Sequence, residues 1–311
     1  MKIYLRNGLN ISKKHKSSML VKSLFLIITS LIISLHTLIA QEGSTHDFSI
    51  PNSDPVFSVL HTLSIHVRDT ITHDSVFLFL TDKLKLPVYY SPIIYGKRKY
   101  AGVYAGNLVL EPCGPYSNFK YASNDFRAIF FGLTFEPYKS ISQTANGLAT
   151  KKISSEVGED YIYLKDSLLC GENITISFMD KGDERANDKL KMEILRYALT
   201  TRPENELGIE YISEIQIGYK DNYNLMKWKE FMSPLKLADS ETLEGNNLPE
   251  IHLCKSNIKE VQSITFKVRS LEKAKKYLAN NNLLGRTTSD KIQLNTARTF
   301  GLTIYISENE R

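Results

Sequence analysis

The sequence predicts an α+β fold of tandem βαβββ modules, and three observations carry that reading. Residues 59–67 alternate apolar and polar side chains up to Asp69, and a helix-period run (Val76, Phe77, Leu80, Leu84) follows at once. The same design recurs where ISEIQIGYKDNYNLMKWKEFMSPLKL passes through Asp221 into a helix carrying Leu225, Trp228 and Phe231. Strand, helix and strands recur after each of these segments, so the chain reads as four degenerate modules. A length of 311 residues with 42% hydrophobic content suits two ordinary domains with packed cores.

Residues 1–18 are polar and basic, and residues 19–40 form a nearly uninterrupted apolar run that ends before QEGSTHD. That pattern predicts a signal peptide over 1–40, cleaved after Ala40, and a polar leader over 41–55. An uncleaved membrane anchor is the alternative, since the run is about long enough to span, and Met19 is an alternative start. The formal charge of +5 is misleading, because Lys2, Arg6, Lys13, Lys14, Lys16 and Lys22 all lie within residues 1–40 and no acid there offsets them. Without them the chain is near −1, and nucleic acid, which needs a basic face, is excluded as a partner. The expected product is exported, periplasmic or secreted, with no stable membrane association after cleavage; its oligomeric state is left open. Cys113, Cys170 and Cys254 show no CxxC spacing, which predicts one disulfide or none.

The first domain is expected over 56–182. Its first module closes the helix with KLKLP and ends on the strand GNLVLEP. A turn-rich connection over 116–125 leads to the second module: the strand FRAIFFGLTFEP, a helix over 140–153, then YIYLKD and NITISFMD. A charged helical connection spans 183–206, with its helix over 188–199. The second, degenerate domain spans 207–311, with LPEIHLCKS, SITFKVRS, a helix over 271–280, KIQLN and GLTIYIS. Aligning the two halves on Asp69 and Asp221 sets Glu214 opposite Thr62.

Glu111 lies among apolar neighbours on GNLVLEP, and a carboxylate there needs a partner, a proton or a metal. Alternation sets Glu111 and Val109 on one face and Leu108 and Leu110 on the other. On the first strand, Thr62, Ser64 and His66 share a polar face, while His61 falls with Leu63, Ile65 and Val67. A bulge would bring His61 to the polar side instead. Tyr89, Tyr90, Tyr95, Tyr100 and Tyr104, with Arg98 among them, offer an apolar wall with hydroxyls and one guanidinium for an anion. FRAIFFGLTFEP offers no identifiable metal ligand, Ser177 takes the position matching Glu111 in the second module, and His252 is the one histidine available to the second half.

The strand ending in Asp69, the KLKLP after the helix and the run from Gly106-Asn107 to Glu111 resemble the first half-domain of the vicinal oxygen chelate superfamily, the glyoxalase, bleomycin-resistance and extradiol dioxygenase proteins. The resemblance implies that paired modules curl into two cup-like mixed-sheet halves. It also implies that Glu111, with His66 or His61, holds a divalent metal that polarises a substrate oxygen. Glu111 would be the catalytic carboxylate, with Arg98, Tyr100, Tyr104, Thr62 and Ser64 as ligand-binding residues. The sequence departs from the family where Thr62 stands at the usual histidine position and Ser177 replaces a second glutamate. Two readings follow: a metal-dependent lyase or dioxygenase-type enzyme acting on a small molecule, or a metal-free small-molecule binder of the bleomycin-resistance kind. GxSxG, HExxH, P-loop and dinucleotide signatures are absent from the sequence.

Overall fold

The computed structural model describes residues 55–115, 127–171, 173–202, 206–233, 236–237, 242–244 and 248–308. The expected signal peptide, the polar leader up to residue 54 and the connection over 116–125 lie outside the described residues. The architecture is α+β, with two mixed eight-stranded sheets. The first comprises β1 (Phe57–Val67), β2 (Val88–Tyr95), β3 (Arg98–Tyr104), β4 (Val109–Gly114), β5 (Ala128–Pro137), β6 (Ser155–Val157), β7 (Tyr161–Leu164) and β8 (Thr175–Met179), in the order β2-β3-β4-β1-β5-β8-β7-β6. Its helices are α1 (Thr70–Leu78), extended by a π-turn over Phe79–Lys83, and α2 (Ile141–Thr150). The connecting helix α3 (Arg185–Thr201) leads to the second sheet.

That sheet repeats the plan with β9 (Ile209–Tyr219), β10 (Lys236–Leu237), β11 (Thr242–Glu244), β12 (Glu250–Lys255), β13 (Val261–Val268), β14 (Leu284–Thr287), β15 (Lys291–Leu294) and β16 (Ile304–Glu308), ordered β10-β11-β12-β9-β13-β16-β15-β14. Helices α4 (Asn222–Met232) and α5 (Leu271–Asn280) complete it. In each sheet the first strand of one module pairs antiparallel with the first strand of the next, and each pairs parallel with the last strand of its own module.

The two aspartates that align the halves do the same work in both. Asp69 accepts from the Thr72 amide at 2.6 Å, and Asp221 accepts from those of Tyr223 and Asn224 at 2.9 and 3.0 Å. Each therefore satisfies amide donors that a helix start leaves orphaned. The register supports the alignment as well. Thr62 pairs with Val109 across β1 and β4, and Glu214 pairs with Glu250 across β9 and β12. Leu63, Ile65 and Val67 are fully buried on the helix-packed side of β1, each worth about 1.5–3 kcal/mol of apolar burial.

The halves are fastened at several polar points. Asn107 donates to the Ile212 carbonyl at 2.8 Å and accepts from its amide at 3.1 Å. Gly106 beside it, at φ +97°, lets this turn approach β9, since a Cβ there would stand 2.0 Å from the Glu210 oxygen. Lys227 of α4 donates to the carbonyls of Lys151 and Lys152 at the end of α2, while Lys151 donates to those of Glu230 and Ser233 at the end of α4. Each helix C-terminus thus receives an ammonium from the other half, where both the orphan carbonyls and the helix dipole favour it. None of Cys113, Cys170 and Cys254 is in a disulfide. Among the described residues no helix is long and apolar enough to cross a membrane.

Candidate functional site

The first sheet encloses a cavity of about 430 Å³. Of the residues expected to form a site, Thr62, Ser64, His66, Arg98, Tyr100 and Glu111 all line it. Tyr104 does not. Its ring is fully buried and its hydroxyl donates to the Gly106 carbonyl and accepts from Arg196 at 3.3 Å, so it belongs to the seam with α3. The tyrosine signal there was a packing signal.

At the floor, Glu111 sits beside Ser64 in the β1–β4 ladder and accepts from the Tyr90 hydroxyl at 2.7 Å. Gly102 makes room for that ring, since a Cβ there would stand 2.5 Å from Tyr90 Cε1. The Glu111 carboxylate keeps some surface open to the cavity, yet the surrounding protein desolvates it and pushes its pKa up, against hydrogen bonds from Tyr90 and Ser64 that pull it down. Tyr90 is pushed up in turn, by burial first and then by the Glu111 charge. A carboxyl raised this way can hold or release a proton against a bound oxygen. His66 is buried and stacks on Phe131, with ring centroids 3.7 Å apart. Burial, with the Arg98 charge second, lowers its pKa to about 3, which keeps it neutral at physiological pH. Ser177 and Thr134 meet at 3.0 Å on the opposite wall, so hydroxyls stand where a second carboxylate would be.

His61 is the main departure from simple alternation. The ladder between β1 and β5 pairs Leu60 with Phe135 and Thr62 with Thr134, so His61 is the extra residue of a bulge. Leu60 remains in the core while His61 and Thr62 both reach the cavity, which overturns the expectation that His61 packs with Leu63, Ile65 and Val67. At the cavity mouth, a ring nitrogen of His61 and carboxylate oxygens of Glu136 and Asp188 lie within 4.8 Å of one another. Among the described residues this is the one grouping of three or more such donors that could hold a metal, and Glu111 and His66 are outside it. Lys181 stands within the grouping, with Nζ 2.5 Å from both Asp188 Oδ2 and His61 Nε2. Desolvation lowers the Lys181 pKa to about 8, and the neighbouring Glu136 charge opposes that fall.

Glu136, Asp188 and Lys181 were missed from sequence. Glu136 was within reach, because alternation from Thr134 sets it on the cavity face of β5. Asp188 lies in the first turn of α3, where the helix dipole favours an acid, but no local pattern says that α3 crosses this mouth. Beyond Glu136 and Asp188 lies a second cavity of about 910 Å³, between α3 and the second sheet, lined among others by Arg185, Arg196, Tyr211 and Lys267. Glu136 lines both cavities, His61 and Lys181 line the first, and Asp188 lines the second.

In type, the cluster suits a divalent ion: one imidazole and two carboxylates are ligands for first-row metals. The spacing also suits one. The three ligand atoms lie within 4.8 Å of one another, and His61 Nε2 and Asp188 Oδ2 are 3.1 Å apart. His61 Nδ1 is 2.7 Å from the Thr62 hydroxyl. The Lys181 ammonium, which can only donate, stands 2.5 Å from Nε2, so Nε2 is the acceptor and the proton is on Nδ1, where the Thr62 hydroxyl accepts it; this is the tautomer a metal needs.

No family model matches the sequence, and no curated protein matches it. Solved structures do. A variant of homoprotocatechuate 2,3-dioxygenase from B. fuscum aligns with 11% identity over 83% of this chain and 73% of that one, at a TM-score of 0.55. The anaerobic complex of the Brevibacterium fuscum enzyme with 3,4-dihydroxyphenylacetate aligns at 11% over 84% and 83%, TM-score 0.51. Homoprotocatechuate 2,3-dioxygenase from Arthrobacter globiformis aligns at 11% over 85% and 82%, TM-score 0.51. The chain shares the fold of these extradiol dioxygenases, two cup-like halves of paired modules.

Proposed function

We propose that the chain is a vicinal oxygen chelate protein on the dioxygenase-like side of that superfamily, acting on a small oxygen-bearing molecule in the first cup with a divalent metal held at its mouth. The observation that carries this reading is the convergence of His61, Glu136 and Asp188 at the edge of a 430 Å³ cavity whose floor holds Glu111. A metal there would polarise an oxygen of the bound molecule. The chain's own residues supply the rest. Arg98 offers a cation to an anionic group, Tyr100 an aromatic wall with a hydroxyl, and Phe131 apolar surface for a ring. Glu111, poised by burial, is the group placed to exchange a proton with the ligand. This assignment transfers the metal role from Glu111 and His66 to the mouth cluster and keeps Glu111 as the acid–base residue.

Titration of purified protein with Mn²⁺, Fe²⁺ and Zn²⁺ beside His61→Ala and Glu136→Gln tests it. Binding at one site that both variants weaken is the expected result, and binding that neither affects would sink the assignment. The metal-free binding reading has one specific observation in its favour, the Lys181 ammonium between the donors. Ligand capture with no metal uptake under any condition would select it. The basic and then apolar first 40 residues support a companion proposal, that the mature chain is exported and starts near Gln41.

A further inference from the structure

Lys181 follows β8 and precedes the turn at Gly182–Glu184 that opens α3, the helix carrying Asp188. Its backbone is pinned, because Asp180 accepts from the Gly182 amide at 3.0 Å and from Arg185 at 2.8 Å. The side chain extends from this fixed point into the mouth cluster and is only 15% exposed. Because an ammonium can only donate, Nε2 of His61 is an acceptor beside Lys181, and Asp188 Oδ2 is an acceptor too. Two acceptor atoms 3.1 Å apart are stable together only around a shared positive charge or proton. The ammonium at 2.5 Å from each supplies it.

The cluster is therefore more than a collection of acids. It is a cation site with a cation in it, donated by the chain. We propose that Lys181 is a tethered cation occupying the metal position of His61, Glu136 and Asp188, and that a divalent metal enters only when this ammonium is withdrawn. The inference rests on the metal reading of the same cluster. Withdrawal has somewhere to go, because Lys181 also lines the first cup and stands 3.5 Å from the Tyr89 hydroxyl. A four-carbon stem allows that swing without moving the backbone. With the ammonium in place the two carboxylates leave the cluster one negative charge; without it they leave two, which strengthens the pull on a dication.

The test is Mn²⁺ binding, read from the electron paramagnetic resonance signal of the unbound ion, for the wild-type protein, K181M and K181R. K181M is expected to bind one Mn²⁺ on the order of tenfold tighter or more than the wild type, and K181R, which restores a cation, to return to the wild-type level. The double variant H61A/K181M should lose the gain. Equal affinity for wild type and K181M would overturn the tethered-cation proposal and leave the metal site standing. No binding by either, with both folded by circular dichroism, would remove the metal reading and the proposal with it. A second measurement needs no variant at Lys181. In the wild-type protein, saturating Mn²⁺ should raise acetylation of the Lys181 amine by an N-hydroxysuccinimide ester, read by peptide mass spectrometry. Unchanged Lys181 labelling on metal-loaded protein would refute displacement.

Discussion

Replacing Glu111 by glutamine isolates the cost of keeping a carboxylate at the floor of the first cup. The glutamine keeps an acceptor for the Tyr90 hydroxyl, now 2.7 Å from Glu111, so what is lost is the charge assistance of that bond, about 1 kcal/mol. What is gained is relief from desolvation, about 1.4 kcal/mol at neutral pH for each unit by which burial raises the carboxyl. The two terms oppose, and Glu111→Gln should change stability at pH 7 by no more than about 1 kcal/mol, or about 2–4 °C in Tm. The pH dependence is the sharper readout. Because burial raises the folded-state pKa above its ordinary value of 4.5, the native protein binds more protons than the unfolded chain in the window above 4.5. Wild-type stability from this group is fully present below that value and falls as pH rises through the folded pKa. The variant lacks this loss, so its Tm relative to wild type should climb between pH 4.5 and 8 in paired thermal melts. A drop of about 3–5 kcal/mol at neutral pH would show instead that Glu111 is half of a buried ion pair, and the account of the cup floor would fail.

His66 is neutral with a pKa of about 3, so its ring proton resonances should stay flat from pH 5 to 8; a midpoint near 6.5 would contradict its burial against Phe131. Because that pKa is depressed, the unfolded chain takes up the proton first on acidification, and stability should fall by about 1.4 kcal/mol per pH unit below 6.5 from this residue alone. Two lysine–carboxylate pairs of similar length differ in setting: Lys181–Asp188 at 2.5 Å with 15% and 12% exposure, and Lys291–Glu214 at 2.7 Å with 38% and 20%. In urea denaturation K181M should cost about 3 kcal/mol and K291M about 1 kcal/mol or less, and equal costs would mean that burial does not set the value. Gly106→Ala forces a side chain into the Glu210 backbone at φ +97°, and a loss of several degrees in Tm is expected, with an unchanged midpoint counting against tight docking of the two halves. The mass of the native protein should match a chain starting at Gln41, and intact residues 1–40 would restore the anchor reading.

The parts of this fold that the sequence showed are those whose cause is local. Asp69 and Asp221 cap helices through their own following amides, and the aliphatic face of β1 obeys a period of two, so both halves align on sequence alone. Glu111 was legible for the same reason, as a charge out of keeping with its strand. Tyr104 misled because a tyrosine at a strand end reads alike whether its hydroxyl meets a ligand or a neighbouring carbonyl. His61 failed differently. One extra residue in β1 moves it to the other face, and a bulge is decided by pairing with β5, some seventy residues away. The mouth cluster lay furthest from view, since it is assembled from β1, β5, the turn after β8 and the start of α3, four segments that no sequence window spans.

That assembly also accounts for why the two cups differ in kind. Register places His252 in the second half where Glu111 stands in the first, opposite Gln216 rather than Ser64, and Glu214 where Thr62 stands. The second cup therefore carries its acid on the first strand and its imidazole on the last, the reverse of the first cup. Its acid is already engaged: Glu214 accepts from Lys291 at 2.7 Å and from Thr265 at 3.3 Å, and His252 lies 3.2 Å from Glu250. Both cups thus set a lysine against a carboxylate, but only in the first is that lysine also held by an imidazole and mostly buried. A shared design fixes where donors can stand, and the connecting helix, which supplies Asp188 to one mouth, is what makes the first cup the place where a cation is enclosed.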